Sequence, residues 1–367
     1  MGERAVLTAP SVEIIGWAAP QESSEIVPAR GPVFDPDVLR RTAQVHEASG
    51  FDRVLIGYFT NAPDGFIVGA QVAAATERLG LLVAHRPGFV APTLAARKFA
   101  TLDVASGGRT AVHIIAGGSD ADQAKDGDFL DHDLRYRRSA EYVDVLRRTW
   151  SSREPFDHHG EFYRVDHAVS AITPVNGESI PIYGGGGSDA AIGELAPRID
   201  TFMVWGEPLA ETAEFFDRVR AARAAAAVAT PIGFSVSTRP ILGPTEGAAW
   251  DRARSILAQI QSRFGDRVHQ PANVASQRLL DSAARQEVFD RCLYTPLAAA
   301  TGAPGNSTAL VGTPETVAQA MADYADLGAT TLLIRGYNPL ADAEDYGREL
   351  IPRVRQLVAQ RRAAAVS

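Results

Sequence analysis

Residues 79–118 read LGLLVAHRPGFVAPTLAARKFATLDVASGGRTAVHIIAGG, and this stretch decides the fold. Two short apolar runs, Leu79–His85 and Thr110–Ala116, are separated by a helical segment. Runs that are apolar on both faces suit strands buried in a parallel sheet. Working outward, Val12–Trp17, Arg53–Gly57, Ile180–Gly184, Thr201–Trp205, Ile232–Pro240 and Thr330–Arg335 read as six more strands. Helical patterns lie between them. Asp35 with Pro36 opens one, because an Asp N-cap and a Pro at the first helical position both suit a helix start, and Gly50 ends it. A second runs from about Leu134 to Trp150, with Tyr136, Ala140, Val143, Leu146 and Trp150 on one face. A third starts at Thr313-Pro314 and stops at Gly328. Eight strand–helix alternations point to an α/β fold closed as a (β/α)8 TIM barrel more than to an open sheet.

The chain has 367 residues, 46% of them apolar, enough for one barrel of about 250 residues with insertions at its C-terminal mouth. Residues 1–367 are therefore expected to form a single domain. Two stretches break the alternation. Residues 151–180 carry a polar FDHHGEFYRV segment and read as a hairpin-like insertion. Residues 265–311, from GDRVHQPANV to GAPGNSTALVG, are rich in Gly, Pro and Asn and read as a long irregular lid or connection.

Net charge is −8 with no basic run, which argues against a nucleic-acid partner. The start lacks an apolar signal core and no window reaches 18 uninterrupted apolar residues, so no membrane association and a cytoplasmic location are expected. The lone cysteine, Cys292, excludes an intrachain disulfide. His85, His158 and His159 show no metal-ligand spacing, and no metal is expected.

In such a barrel, chemistry gathers at the carboxyl ends of the strands. Those ends carry His85-Arg86, His113 with Ala116-Gly117-Gly118, Gly184–Ser188, Trp205-Gly206-Glu207, Arg239, and Arg335-Gly336-Tyr337. The sharpest element is YGGGGSDAA at 183–191, four glycines between a strand and a helix. Backbone N–H groups there can approach a ligand without Cβ interference, and a helix N-terminus favours an anion. A phosphate site including Gly186, Gly187 and Ser188 is the functional reading; a strand–helix turn is the plain one. His113 in VHIIAGG is either a site residue or a satisfied core histidine. Tyr136 reads as core or as a mouth residue, and Asp131, His132 and Asp133 as helix caps.

At these residues the chain resembles the bacterial luciferase-like flavin monooxygenases, most closely the alkanesulfonate monooxygenase branch. The resemblance rests on RPGFVAPTLAARKFATLDVASGGR (86–109), VHIIAGGSD (112–120), DGDFLDHDLRYRRSAEY (126–142), YGGGGSDAA (183–191), VWGEP (204–208), TALVGTPETVA (308–318) and RGYNPL (335–340). It implies a barrel that takes reduced FMN (FMNH2) from a separate NAD(P)H-dependent flavin reductase. With O2 it would oxygenate an organosulfur compound, such as an alkanesulfonate, to an aldehyde and sulfite. A homo-oligomer is the expected assembly. By motif, His113 stands where the family usually places an Asn beside the flavin ring. Arg135, Tyr136 and Ser188 match positions that hold the phosphate or ribityl end. Gly57-Tyr58 match a flavin-ring contact, and Tyr337 matches an active-site tyrosine.

Three departures fall on the substrate side of the site. The cysteine those enzymes carry after the second strand corresponds to Ala62 or a neighbour. Their Arg-x-His pair on the seventh strand corresponds to Ser237 and Arg239, and their mobile-loop arginine falls near Ala303. Arg239 and Arg335 are expected to clamp an anionic head group through paired donors, or else to form rim salt bridges. The competing functions are a luciferase-like enzyme using deazaflavin F420, a non-catalytic flavin-binding barrel, and a flavin-free aldolase or isomerase. The last would want a strand-end lysine, and none of the eight strands ends in Lys.

Overall fold

Alternation within each buried strand sends one set of side chains to the surrounding helices and the other into a central lumen. The computed structural model, which describes residues 12–265, 273–305 and 307–366, shows both sets. The barrel strands are β1 (Glu13–Ala18), β2 (Arg53–Ile56), β3 (Gly80–His85), β4 (Thr110–Ile114), β5 (Ile182–Gly185), β6 (Thr201–Trp205), β7 (Gly233–Leu242) and β8 (Ala329–Ile334). All neighbours are parallel, from β1 through β6 in order; β7 pairs with both β6 and β8, and β8 with β1, closing the barrel. Every expected strand is present within two residues of its anticipated ends.

Ile14, Val54, Ile56, Leu81, Val83, Val112, Ile114 and Ile182 pack outward against the helices. Ile15, Leu55, Leu82, Ala84, Ala111, Tyr183 and Leu333 fill the lumen. Its floor is a polar knot: Glu13 accepts from Arg53 Nε at 3.0 Å, Tyr183 Oη at 2.7 Å and Thr331 Oγ1 at 3.1 Å. In barrels of this kind chemistry gathers at the opposite, carboxyl end of the strands.

Helix boundaries follow their caps. Pro36–Ala48 starts where the Asp35 carboxylate accepts from the Asp37 and Val38 N–H groups, and Gly50 leaves it at φ +79°. The helix His132–Ser151 is capped by Asp131, which accepts from Leu134 N–H, and Pro314–Asp326 by Thr313.

The first insertion is a hairpin of Phe156–His159 and Arg164–Ala168, as expected. The second is more regular than its composition suggested. It contains a helix, Val274–Arg285, and two short antiparallel strands, Val288–Phe289 and Leu293–Tyr294. These continue through Ala309–Gly312 onto the outer half of β7. Residues 266–272 and 306 of this insertion lie outside the described residues, as do residues 1–11 at the start. Among the described residues, no helix is long and apolar enough to cross a membrane.

Candidate active site

His113 lies on β4 between the lumen residues Ala111 and Ile115, so its ring faces the lumen. Its register partners are Ala84 and Tyr183. The Nδ1 atom is buried with no hydrogen-bond partner among the described residues, and burial holds the imidazole down at about pKa 4. A neutral ring with an orphaned polar atom in the lumen is unlike a satisfied core histidine, because buried polar groups are ordinarily paired. His85 is the contrast. It points outward from β3, where Nε2 meets Tyr142 Oη at 2.7 Å among Phe66 and Phe99. It is a packing residue, although its position at a strand end placed it among the mouth residues.

The residues expected on the phosphate side lie past the ends of β4 and β5 and on the helix His132–Ser151. Arg135 is buried, and its Nε donates to Ala116 O at 3.0 Å and its Nη1 to Leu130 O at 2.6 Å. Nη1 also pairs with Asp120 at 2.8 Å. Tyr136 reaches Gly185 O at 3.4 Å, and burial pushes its phenol up to about 12. A Cβ on Gly186, which has φ +151°, would fall 2.3 Å from Tyr136 Oη and 2.6 Å from Ala191 Cβ. Only glycine fits there, whether or not a ligand is bound. Ser188 caps the short helix Asp189–Leu195, its Oγ accepting from Ala191 N–H at 3.1 Å. The Oγ–H remains available to donate. The insertion helix closes this corner: Ala275 N lies 2.9 Å from where a Gly187 Cβ would be, and the Asn273 amide 3.8 Å from that of Gly118.

That helix is held to the barrel by Arg278, which donates to Glu207 at 2.8 Å, and to the rest of the insertion by Ser276, whose Oγ donates to Ala303 O. Trp205, at the end of β6, packs beneath it against Leu279, Ala298 and Ala303. Ala303, near the expected place of a mobile-loop arginine, is buried at φ +49°.

The other side of the mouth is built on β8, β1 and β2. Trp17 was not singled out in the sequence, although it ends a predicted strand. Its ring lies 2.6 Å from where a Gly57 Cβ would sit and 5.0 Å beneath the Arg335 guanidinium. Gly57 is thus the gap that admits Trp17. Tyr58 donates to Asp126 at 3.2 Å and carries the Arg86 guanidinium 4.7 Å over its ring. Arg86 in turn pairs with Asp122 at 2.7 Å.

Of the two readings of Arg239, an anion clamp or a rim salt bridge, the structure shows the salt bridge. Arg239 is 1% exposed, with Nε on Arg335 O at 3.0 Å and Nη2 on Gly336 O at 2.9 Å. Its two terminal nitrogens grip Glu25 at 2.8 and 3.0 Å. The guanidinium also stacks 3.7 Å over Tyr337, which is itself 1% exposed. A substrate anion would have to displace Glu25 to reach Arg239, so the pair acts as a strut under the rim. Arg335 differs: it is half-buried, and among the described residues its Nε has no partner and its one hydrogen bond is a 3.5 Å contact to Ser23 O. Glu25 was also missed in the sequence, where an acid in a loop carries no signal.

The sequence pattern of the luciferase-like monooxygenases matches residues 14–331. EDTA monooxygenase from Chelativorans sp. BNC1 superposes with a TM-score of 0.73 at 18% identity, over 95% of this chain and 94% of that one. A riboflavin lyase solved with a modified FMN and riboflavin gives 0.76 at 18%, over 94% and 91%. An F420-dependent secondary alcohol dehydrogenase gives 0.66 at 15%, over 94% and 99%. At these identities the likenesses establish the barrel alone. The match along most of the chain carries more: this protein belongs to the luciferase-like monooxygenase family.

Proposed function

We propose that the protein is the oxygenase half of a two-component system. It takes FMNH2 from a separate NAD(P)H-dependent reductase and oxygenates an organosulfur compound, such as an alkanesulfonate. The observation that carries this is the His113 ring. It has an orphaned Nδ1 in the lumen of a barrel of this family, beside a glycine turn shaped for close backbone approach.

The residues fit the cofactor. His113 would hydrogen-bond the flavin ring, and it stays neutral at pH 7, so it positions and does not protonate. Gly186, Gly187 and Ser188 would hold the phosphate through N–H and hydroxyl donors, with Tyr136 bracing the turn and Arg135, paired with Asp120, tying the Ala116 and Leu130 carbonyls behind it. Gly57 and Tyr58 would border the ring from β2. Bound reduced FMN supplies the two electrons that activate O2. One oxygen atom goes to the carbon bearing sulfur, the C–S bond breaks to release sulfite and an aldehyde, and the other oxygen leaves as water. The Val274–Arg285 helix keeps bulk water from the phosphate corner, and Arg335 faces the substrate's anionic end.

The test is turnover of an alkanesulfonate series with FMN, NADH, O2 and a generic flavin reductase, read as sulfite release. Sulfite that depends on both the reductase and this protein supports the proposal. Reduction of a substrate by reduced F420, with no activity on FMN, favours the second reading, for which the F420-dependent structural neighbour speaks.

A further inference from the structure

The loop after β1 brings an acid into the mouth, and it is built to do so. Ser24 Oγ donates to Tyr337 O at 2.5 Å, Ser24 N–H to Val27 O at 2.9 Å, and Arg263 Nη1 to the Ser24 and Glu25 carbonyls at 2.9 and 3.0 Å. Glu25 is thereby fixed against both nitrogens of Arg239, within the field of Arg335. Two arginines at one rim would recognise a doubly charged group, since each adds a charge-assisted donor. Glu25 cancels one of them.

Elsewhere around the mouth the cations are already matched. Arg86 and Lys125 face Asp122 and Asp126, and Arg135 faces Asp120. Among the described residues, Arg335 is the arginine of this rim that forms no ion pair, and its Nε has no partner. The Trp17 ring covers one face of the Arg335 guanidinium, and the unpartnered Nε lies on the guanidinium edge.

We infer that Glu25 is a specificity-determining residue: by neutralising Arg239 it leaves Arg335 as a single positive charge, so the substrate end that enters carries one negative charge, a monosulfonate or monocarboxylate. This rests on the function proposed above and narrows its substrate class. A dianionic end group would meet Glu25 and be rejected by repulsion and by an unpaired charge.

Calorimetric binding to the full chain tests it, using propanesulfonate, 1,1-methanedisulfonate and the neutral ethyl methyl sulfone at low salt. Wild type is expected to bind the monosulfonate best. Arg335→Gln should weaken that binding by about tenfold or more, as loss of a charge-assisted contact does. Glu25→Gln should shift preference toward the disulfonate by about tenfold or more, while Glu25→Asp keeps the wild-type order. Equal affinity for sulfonate and sulfone, no binding of the monosulfonate, or an unchanged order in a folded Glu25→Gln protein would each overturn the inference. FMN binding is measured in parallel by fluorescence quenching. Its absence defeats the flavin proposal without touching the charge preference, so the two failures are distinguishable.

Discussion

Arg239 shows what a single residue's surroundings add to its sequence position. At a strand end it looked like a substrate clamp; in the fold it is buried beneath Tyr337 and paired with Glu25. Removing one partner of a buried pair costs about 3–5 kcal/mol, and the low end applies because the Glu25 side chain keeps 23% exposure. Arg239→Met should therefore lower stability by about 3 kcal/mol in urea unfolding, and adding Glu25→Gln should recover part of it. A methionine variant of full stability with only a raised KM would restore the clamp. Gly186 is a second case. Its left-handed φ and contact with Tyr136 predict that Gly186→Val lowers the melting temperature with no flavin present, so loss of FMN binding in that variant says nothing about phosphate. Ser188→Ala is the informative change. It removes a cap, costing about 1 kcal/mol, and the proposed phosphate donor, so FMN affinity should fall modestly in a folded protein. Unaltered affinity would take Ser188 out of the site.

Among the elements, strands and caps were legible and the second insertion was not. Val54-Leu-Ile56 and Phe202–Trp205 announce themselves because the body of a parallel strand buried on both faces must be apolar. Asp35, Asp131 and Thr313 likewise state where helices begin. The Val274–Arg285 helix was masked by the Gly, Pro and Asn residues on either side, and its anchors are tertiary: Glu207, Ala303 and the platform of Trp205. Those anchors predict its behaviour. Arg278→Ala leaves Glu207 buried without its cation, so amides of 274–285 should exchange with deuterium faster while the barrel strands stay protected. Equal protection in variant and wild type would mean that apolar packing alone holds this helix. On the site, glycines and His113 could be picked out by type and place, whereas Trp17 and Glu25 act through neighbours distant in sequence.

The whole molecule carries a pH dependence set by histidines buried neutral. Burial holds His46 and His113 at about 4 and His85 at about 3. The unfolded chain takes up these protons near pH 6.5 and the folded chain does not, so stability is lost as pH falls from about 6.5 toward 4. Below about 4.5 the unfolded chain also protonates Glu25 while the folded chain, where Arg239 holds it at about 2 against the cost of burial, does not, which adds to the loss in the same direction. Unfolding midpoints should drop steadily between pH 7 and pH 4.5; a flat profile would contradict the buried neutral state.

The central claim, that the mouth beside His113 receives reduced FMN, is tested most directly by anaerobic titration of the protein with FMNH2. Wild type and His113→Leu would be compared, with reduced F420 as the competing ligand. The account predicts saturable binding of FMNH2, weakened by about tenfold in the leucine variant, where a neutral hydrogen bond of about 1.4 kcal/mol is lost. Saturable binding of reduced F420 with none of FMNH2, or FMNH2 binding indifferent to His113, would contradict it.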